Sequence, residues 1–338
     1  MDRHSPAMQS AAALTNLRPL LSELGTDLDA VLAGTGVTAE MIDPTRMIPY
    51  AATLAILENA ARLTRCEDFG LRLGRRHDLA TLGPLGALMR GAPTLGEALA
   101  DFAAFQINNS TGASVYLHRS GDEVIWGYGI YDSRGVTSSV VHDLAIAAGR
   151  ALMAELTQGM ARPLEFCSTR PAPTNPAPWR ALGAPFRFGQ GETGIFLAKS
   201  DLAIPLPTVD HAGRNAMLAA LASRTARAKW NWAERVRHEL RPLLIEGRSG
   251  MDDMAARLGL HPRTLRRALA REATTFEAIR DQVRDTAARE LLALTTRPMG
   301  DLAMTLDFAS PNAFIRAFRR WNGCSPAAWR ARRREAAE

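Results

Sequence analysis

Cysteine and lysine are scarce in this chain, and long apolar runs are missing. Cys66, Cys167 and Cys324 are its only cysteines in 338 residues. They are far apart and odd in number, which argues against a disulfide framework and fits a reducing cytoplasm. Three scattered cysteines cannot build a four-cysteine zinc site, and the seven histidines fall at no metal-ligand spacing. No stretch approaches the ~20 consecutive apolar residues of a membrane-spanning helix. The N-terminus lacks the basic start, apolar run and small-residue cleavage site of a secretory leader. A cytoplasmic protein with no membrane partner is expected. A zinc-protease helix, a phosphate-binding glycine loop and a Gly-x-Ser-x-Gly elbow are also missing. The expectation is therefore no catalytic residue, no metal, no cofactor and no enzyme.

Lysine is nearly absent: Lys199 and Lys229 stand beside 39 arginines. A coding bias accounts for that ratio but not for where the charge sits. Residues 1–232 carry 21 basic and 21 acidic side chains, whereas residues 233–338 carry 20 and 14, so the whole net charge of +6 lies in the last third. A basic segment fused to a neutral one points to a polyanionic partner for the former.

That basic segment contains an internal repeat. Met254, Ala255, Leu258 and Leu260 recur 48 positions later as Leu302, Ala303, Leu306 and Phe308. Leu265, Arg267 and Leu269 recur 49 positions later as Phe314, Arg316 and Phe318. Each copy reads as a short helix, a tight turn and a second helix with an arginine face, the pattern of a DNA-reading helix-turn-helix. In the first copy Gly259 supplies the turn and Pro262 opens the second helix, where its missing N–H costs nothing. Leu265, Ala268 and Leu269 face inward; Arg263, Arg266, Arg267 and Arg271 face out. In the second copy Ser310 caps, Pro311 starts the helix, and Asn312, Arg316, Arg319 and Arg320 are left outside. Such a helix fits the major groove, where arginine pairs with guanine and asparagine with adenine. Between the copies, Thr274 to Glu277 reads as a capping box opening a helix of about 20 residues, roughly 30 Å long. Its length is close to one turn of duplex, so both reading helices can meet successive major grooves.

The first 210 residues read as α+β, mainly helical with short strands. One helix is expected from Ala11 to Leu24, and another behind Thr94, which with Glu97 forms a capping box. Ser114–Arg119, Glu123–Tyr131, Leu164–Ser168, Phe186–Phe188 and Gly194–Ala198 read as strands, and Thr137–Thr157 as a helix. Residues 171–178, half of them proline, form a loop. Residues 211–232 read as a connecting helix that links domains or meets a second copy. The domain limits are thus 1–210 for effector sensing or dimerisation, 211–232 for the linker and 233–338 for DNA binding. Phe105, Trp126, Tyr128, Tyr131 and Phe166 are candidates to line an effector cavity; the alternative for each is structural core.

The run Asp307-Phe308-Ala309-Ser310-Pro311-Asn312-Ala313-Phe314-Ile315-Arg316-Ala317-Phe318-Arg319-Arg320-Trp321, followed by Gly323-Cys324-Ser325-Pro326, resembles the signature of AraC/XylS-type transcription regulators. Leu258 to Arg267 resembles the first motif of the same module. The resemblance covers roughly residues 233–331. It implies an all-α double helix-turn-helix domain in which Arg263, Arg266 and Arg267, then Asn312, Ala313 and Arg316, occupy base-reading positions. Ser310 is counted with this DNA-contacting set. Asp307 and Ala273 depart from glycines usual in the family, and His261 from a usual serine. Leu82-Gly83-Pro84-Leu85-Gly86, Pro93 to Leu99 and Pro205-Leu206-Pro207 are similar to the N-terminal domain of one AraC subfamily, named for arabinose. The sugar itself is not implied, because the arabinose sensor is a β-barrel and this half is too helical.

The reading is a sequence-specific regulator of transcription, acting on double-stranded operator DNA as a homodimer, with RNA polymerase a possible partner. Its first domain senses a small molecule. The alternative is a constitutive DNA-binding dimer with a purely structural first domain.

Overall fold

The computed structural model describes residues 6–227 and 230–335. The first half holds α1 (Leu17–Glu23), α2 (Leu28–Leu32), α3 (Tyr50–Thr64), α4 (Phe69–Gly74), α5 (Pro84–Arg90), α6 (Leu95–Phe105), α7 (Val140–Thr157) and α8 (Ala177–Arg180). Strands β1 (Met8–Ser10) and β2 (Met47–Pro49) pair as an antiparallel ribbon. Strands β3 (Ala113–Ser120), β4 (Glu123–Ile130), β5 (Glu165–Cys167), β6 (Phe186–Arg187) and β7 (Thr193–Ala198) form one sheet in the order β3-β4-β7-β5-β6. All neighbours run antiparallel except β5 and β6.

Helix α9 (His211–Arg227) covers most of the expected linker; residues 228–229 of that stretch lie outside the described residues. It does not stand alone. Leu221 is buried in the core of the first half, with Met217 and Leu218 packed against it, and Arg214 pairs with Asp101 on α6.

The second half is helical: α10 (Trp232–Ile245), α11 (Met251–Arg257), α12 (Pro262–Arg271), α13 (Phe276–Leu294), α14 (Met299–Thr305), α15 (Pro311–Asn322) and α16 (Pro326–Glu335). Its apolar residues fall into two clusters divided along α13. Phe276, Ile279 and Val283 serve α10 to α12, while Ala287, Leu291 and Leu292 serve α14 to α16. At a ~1.5 Å rise, the 19 residues of α13 span about 28 Å.

Local chemistry explains where elements begin. The helix expected over Ala11–Leu24 is broken into a 3-10 turn at Ala11–Leu14 and α1. Pro19 lacks the N–H that would bond back to Thr15, so the helix starts at Leu17, where that donor is not needed. The Asn16 amide donates instead to the Arg76 carbonyl at 2.9 Å. Thr94 caps α6 by accepting from the Glu97 N–H at 3.3 Å, but the Glu97 carboxylate turns to Arg214 at 3.4 Å, so the box is half made. At α13 the cap is Thr275, which accepts from the Ala278 N–H at 3.1 Å, one residue later than expected. The reciprocal box forms at α10, between Asn231 and Glu234. Each such cap is worth about 1 kcal/mol.

The halves meet along α10, which crosses β3 and β4. Arg241 is 1% exposed and stands over Gly129, where an added Cβ would come within 2.6 Å of the arginine chain. Tyr131 leaves the sheet to join the core of α10, its hydroxyl 3.3 Å from Nδ1 of His238.

Candidate nucleic-acid interface and buried cavity

Helices α12 and α15 are built alike. Each has proline at its first turn and a side-chain cap before it: Nδ1 of His261 accepts from the Arg263 N–H at 3.2 Å, and Oγ of Ser310 accepts from the Ala313 N–H at 3.2 Å. Each buries a narrow apolar stripe, Leu265 and Leu269 in one, Phe314, Ala317 and Phe318 in the other. The remaining face is exposed. Arg263, Arg266, Arg267 and Arg271 are exposed on α12, and Asn312, Arg316, Arg319 and Arg320 on α15. Ala313 is half-buried, and the Ser310 hydroxyl is already engaged as the cap.

Charge pairing separates these arginines. Arg320 is held by Asp281 of α13 at 2.6 Å and lies over the Trp321 ring. Arg263, Arg266, Arg267, Arg271, Arg316 and Arg319 have no carboxylate partner among the described residues. Elsewhere on this molecule arginines are commonly neutralised, as by Asp68, Glu23, Glu155 and Glu239. Six exposed, unneutralised guanidiniums on two helices leave a strongly positive surface, suited to phosphates and base edges.

The connections before these helices differ by one residue but share a left-handed step, at Gly259 with φ 66° and at Asp307 with φ 55°. Aspartate bears that conformation because its carboxylate is employed. Oδ2 accepts from the Ser249 N–H at 3.1 Å and from the Ser249 hydroxyl, with Arg284 3.6 Å away. Arg284 also donates to the Asp307 carbonyl and lies 4.3 Å over the Phe308 ring. Burial, reinforced by Arg280, pushes the Arg284 guanidinium down to about 10. The junction thus ties the second helix pair to α13 and to the segment before α11. Ala273, the other departure from a family glycine, is also left-handed, at φ 55°.

In the first half a cavity of about 150 Å³ lies between α3, α7, β4, β7 and the start of the chain. Of the candidate aromatics, Trp126 and Tyr128 line it. Phe105, Tyr131 and Phe166 lie elsewhere. Phe105 is half-buried at the end of α6, Tyr131 faces α10, and Phe166 stacks on Phe186 at 6.1 Å. The pleat puts Trp126 and Tyr128 of β4 on one face, and Tyr131, one residue past the strand, turns to the core of α10.

Together with Tyr128, residues that sequence reasoning did not single out connect this cavity to the helical half. Tyr50 and Tyr128, both on its wall, are joined hydroxyl to hydroxyl. Tyr128 meets the His142 ring edge-on at 5.8 Å, and Nδ1 of His142 is 2.9 Å from the hydroxyl of Thr193, another wall residue. On its far side Nε2 of His142 lies 2.7 Å from Oε1 of Glu290, on α13. The approach is short but poorly aligned for a hydrogen bond. Both side chains are almost fully buried. A histidine and a glutamate 148 positions apart carry no sequence signal of contact; a glutamate set beside Ala287 and Leu291 of the apolar stripe of α13 is the nearest hint.

A neutral mixed domain joined to a helical module with two positive, capped helices defines a DNA-binding regulator of transcription. Residues 25–206 match the family described as the arabinose-binding domain of AraC transcription regulators, N-terminal, and residues 254–332 match a helix-turn-helix domain. The chain belongs to the AraC family of transcription regulators, which are not enzymes. It is similar to the HTH-type transcriptional regulator VirS of Mycobacterium tuberculosis, 27% identical over 284 residues that cover 83% of this chain and 84% of that protein. It is also similar to the ornithine utilization regulator of Pseudomonas aeruginosa, 25% identical over 93% of this chain and 94% of that one. Among solved structures, transcriptional regulator CdpR from Pseudomonas aeruginosa aligns over 92% of this chain and 98% of its own, with 24% identity and a TM-score of 0.43. No helix among the described residues is long and apolar enough to cross a membrane.

Proposed function

We propose that the chain is a cytoplasmic, ligand-responsive regulator that reads its operator with two helix-turn-helix motifs, α11–α12 and α14–α15. Residues 233–338 form the reader, residues 211–232 the connector and residues 1–210 the sensor and dimerisation unit. Arg263, Arg266, Arg267, Asn312, Ala313 and Arg316 face base edges. Arg271, Ser310, Arg319 and Arg320 face phosphates. The observation that carries this reading is the set of six exposed arginines without carboxylate partners on α12 and α15. A strut of about 28 Å between the motifs is near the ~34 Å separating successive major grooves on one face of duplex.

The sensor works by population shift: a ligand that binds one arrangement of the first half more tightly changes how α12 and α15 are presented. The cavity is its site, and the path is Tyr128 and Thr193 to His142, then Glu290 to α13. Neither arabinose, in the family's description, nor ornithine, in the relative's name, is carried over: ornithine would meet no countercharge on these walls, and a sugar would leave most of its hydroxyls without partners. A homodimer places two readers on a two-fold symmetric operator, and RNA polymerase is the partner through which transcription is changed.

Operator binding by the full-length protein, measured with and without a metabolite panel, tests the reading. The expected result is salt-dependent, sequence-selective binding whose affinity changes with one ligand class. Binding that no ligand moves leaves a constitutive DNA-binding dimer with a structural first domain. No selectivity over random DNA removes the proposal altogether.

A further inference from the structure

The walls of the cavity limit what can occupy it. No Asp, Glu, Lys or Arg lines it. Its titratable residues are His77, Tyr50 and Tyr128. Burial keeps both phenols protonated and pushes His77 toward its neutral form, its Nδ1–H donating to the Leu73 carbonyl at 3.0 Å. A buried carboxylate or ammonium would therefore meet no countercharge, which is among the costliest arrangements in a protein interior. A sugar fares little better. It needs a partner for each hydroxyl; most of these walls are Leu, Ile, Val, Ala and aromatic carbon, and the Ser10, Thr53, Thr81 and Thr193 hydroxyls among them are already bonded within the protein.

Pure hydrocarbon is not the best fit either. Trp126 and Gln106 both line the cavity, each 6% exposed. The Trp126 indole N–H and the Gln106 carbonyl oxygen are buried with no hydrogen-bond partner among the described residues. One is a donor without an acceptor; the other is an acceptor without a donor. Buried polar groups left so are rare and unfavourable. A hydroxyl group supplies both missing halves, since it donates once and accepts twice. The space, about 150 Å³, matches an apolar cavity that admits a benzene-sized guest.

We infer that the cavity takes a small uncharged molecule, apolar over most of its surface and bearing one hydroxyl: a phenol, or an aromatic or short aliphatic alcohol. The hydroxyl lies toward Trp126 and Gln106. The hydrocarbon part lies against α7, beside the small side chains of Ala145 and Ala148. This rests on the sensor reading above and names its ligand.

Four probes of similar size separate the possibilities on the full-length protein: benzyl alcohol, toluene, benzoate and arabinose, followed by titration calorimetry and thermal shift. Benzyl alcohol is expected to bind saturably, toluene about tenfold more weakly for want of the hydroxyl, and benzoate and arabinose not at all. Gln106→Leu should bring the benzyl alcohol to toluene ratio down toward one. Ala145→Leu should fill the space and weaken both; if that variant does not fold, the ratio in Gln106→Leu still decides. Tighter binding of benzoate or arabinose, equal binding of toluene and benzyl alcohol, an unchanged ratio in Gln106→Leu, or no binding by either neutral probe would overturn the assignment. Operator affinity in the same solutions keeps the two readings apart. Benzyl alcohol bound with no effect on DNA leaves the ligand class standing and removes the sensor. An effect on DNA from a charged ligand does the reverse.

Discussion

His142 on α7 and Glu290 on α13 meet at 2.7 Å, buried, with the cavity of the first half on one side and the long helix of the helical half on the other. Through Tyr128 and Thr193 the histidine links the cavity wall to that helix. Glu290→Gln keeps the size of the side chain and replaces its carboxyl by an amide. The expected outcome is a loss of at most about 1 kcal/mol in stability, since the two side chains lie close without a well-aligned hydrogen bond. The ratio of operator affinities with and without ligand should move toward one. Denaturant unfolding and operator titration measure the two effects. A full ligand response in Glu290→Gln would mean that the signal reaches α13 by another contact.

Arginines on the reading helices should divide by what they touch. Arg267→Ala is expected to cost about 1–3 kcal/mol on the cognate operator and to relax choice at one base pair. Arg319→Ala should weaken every sequence alike and lower the slope of log affinity against log salt by about one. Binding to operator and random duplex across a salt series tests both. If the two variants lose equally on random DNA, Arg267 is a phosphate contact.

Asp307 occupies a left-handed position that glycine would hold more comfortably, by about 1–2 kcal/mol. Its carboxylate nevertheless accepts from Ser249 and lies near Arg284, bonds worth about 1.5–3 kcal/mol each when one partner is charged. The second effect is the larger. Asp307→Gly should lower the melting temperature rather than raise it, and Asp307→Asn should fall between. A rise in Asp307→Gly would show that the junction with Ser249 contributes little.

That junction marks a boundary in what the sequence discloses. Periodicity and turn residues place the reading helices, since Pro262, Pro311, Gly259 and the caps act within a few residues of one another. The same holds for β3, β4 and β7, whose expected ends lie within a residue or so of those found. What escapes is long-range. The three-residue strands β1 and β2 show no alternation, and only their pairing makes them strands. The cavity draws on segments from Gln9 to Ile195, and a list of aromatics cannot say which of them face it. One signal was available and local: Gly127 and Gly129 alternate along β4, leaving one face bare, and on that face Arg241 of α10 lies over Gly129.

Acid should loosen the fold through two histidines. Burial holds the pKa of His238 below its ordinary 6.5, with Glu239 pulling it up and Arg257 pushing it down. Burial does the same at His77, opposed by the Leu73 and Ala13 carbonyls. Both are neutral when folded and take up a proton on unfolding once the pH drops below about 6.5. The unfolded state then binds more protons, so stability is complete above that pH and declines as the pH falls through it, by up to about 1.4 kcal/mol per pH unit for each histidine. Asp143 works in the opposite sense. Burial outweighs its pairing with Arg170 and raises its carboxyl to about 6, which favours the fold as it protonates. The informative measurement is therefore a difference between proteins. His238→Gln should show a smaller fall in stability between pH 7.5 and 5.5 than the parent chain. Because His238 sits beneath Tyr131 where α10 meets the sheet, the same acidification should loosen that contact, read as faster hydrogen exchange in α10. Equal pH slopes for the two proteins would show that His238 takes up no extra proton on unfolding.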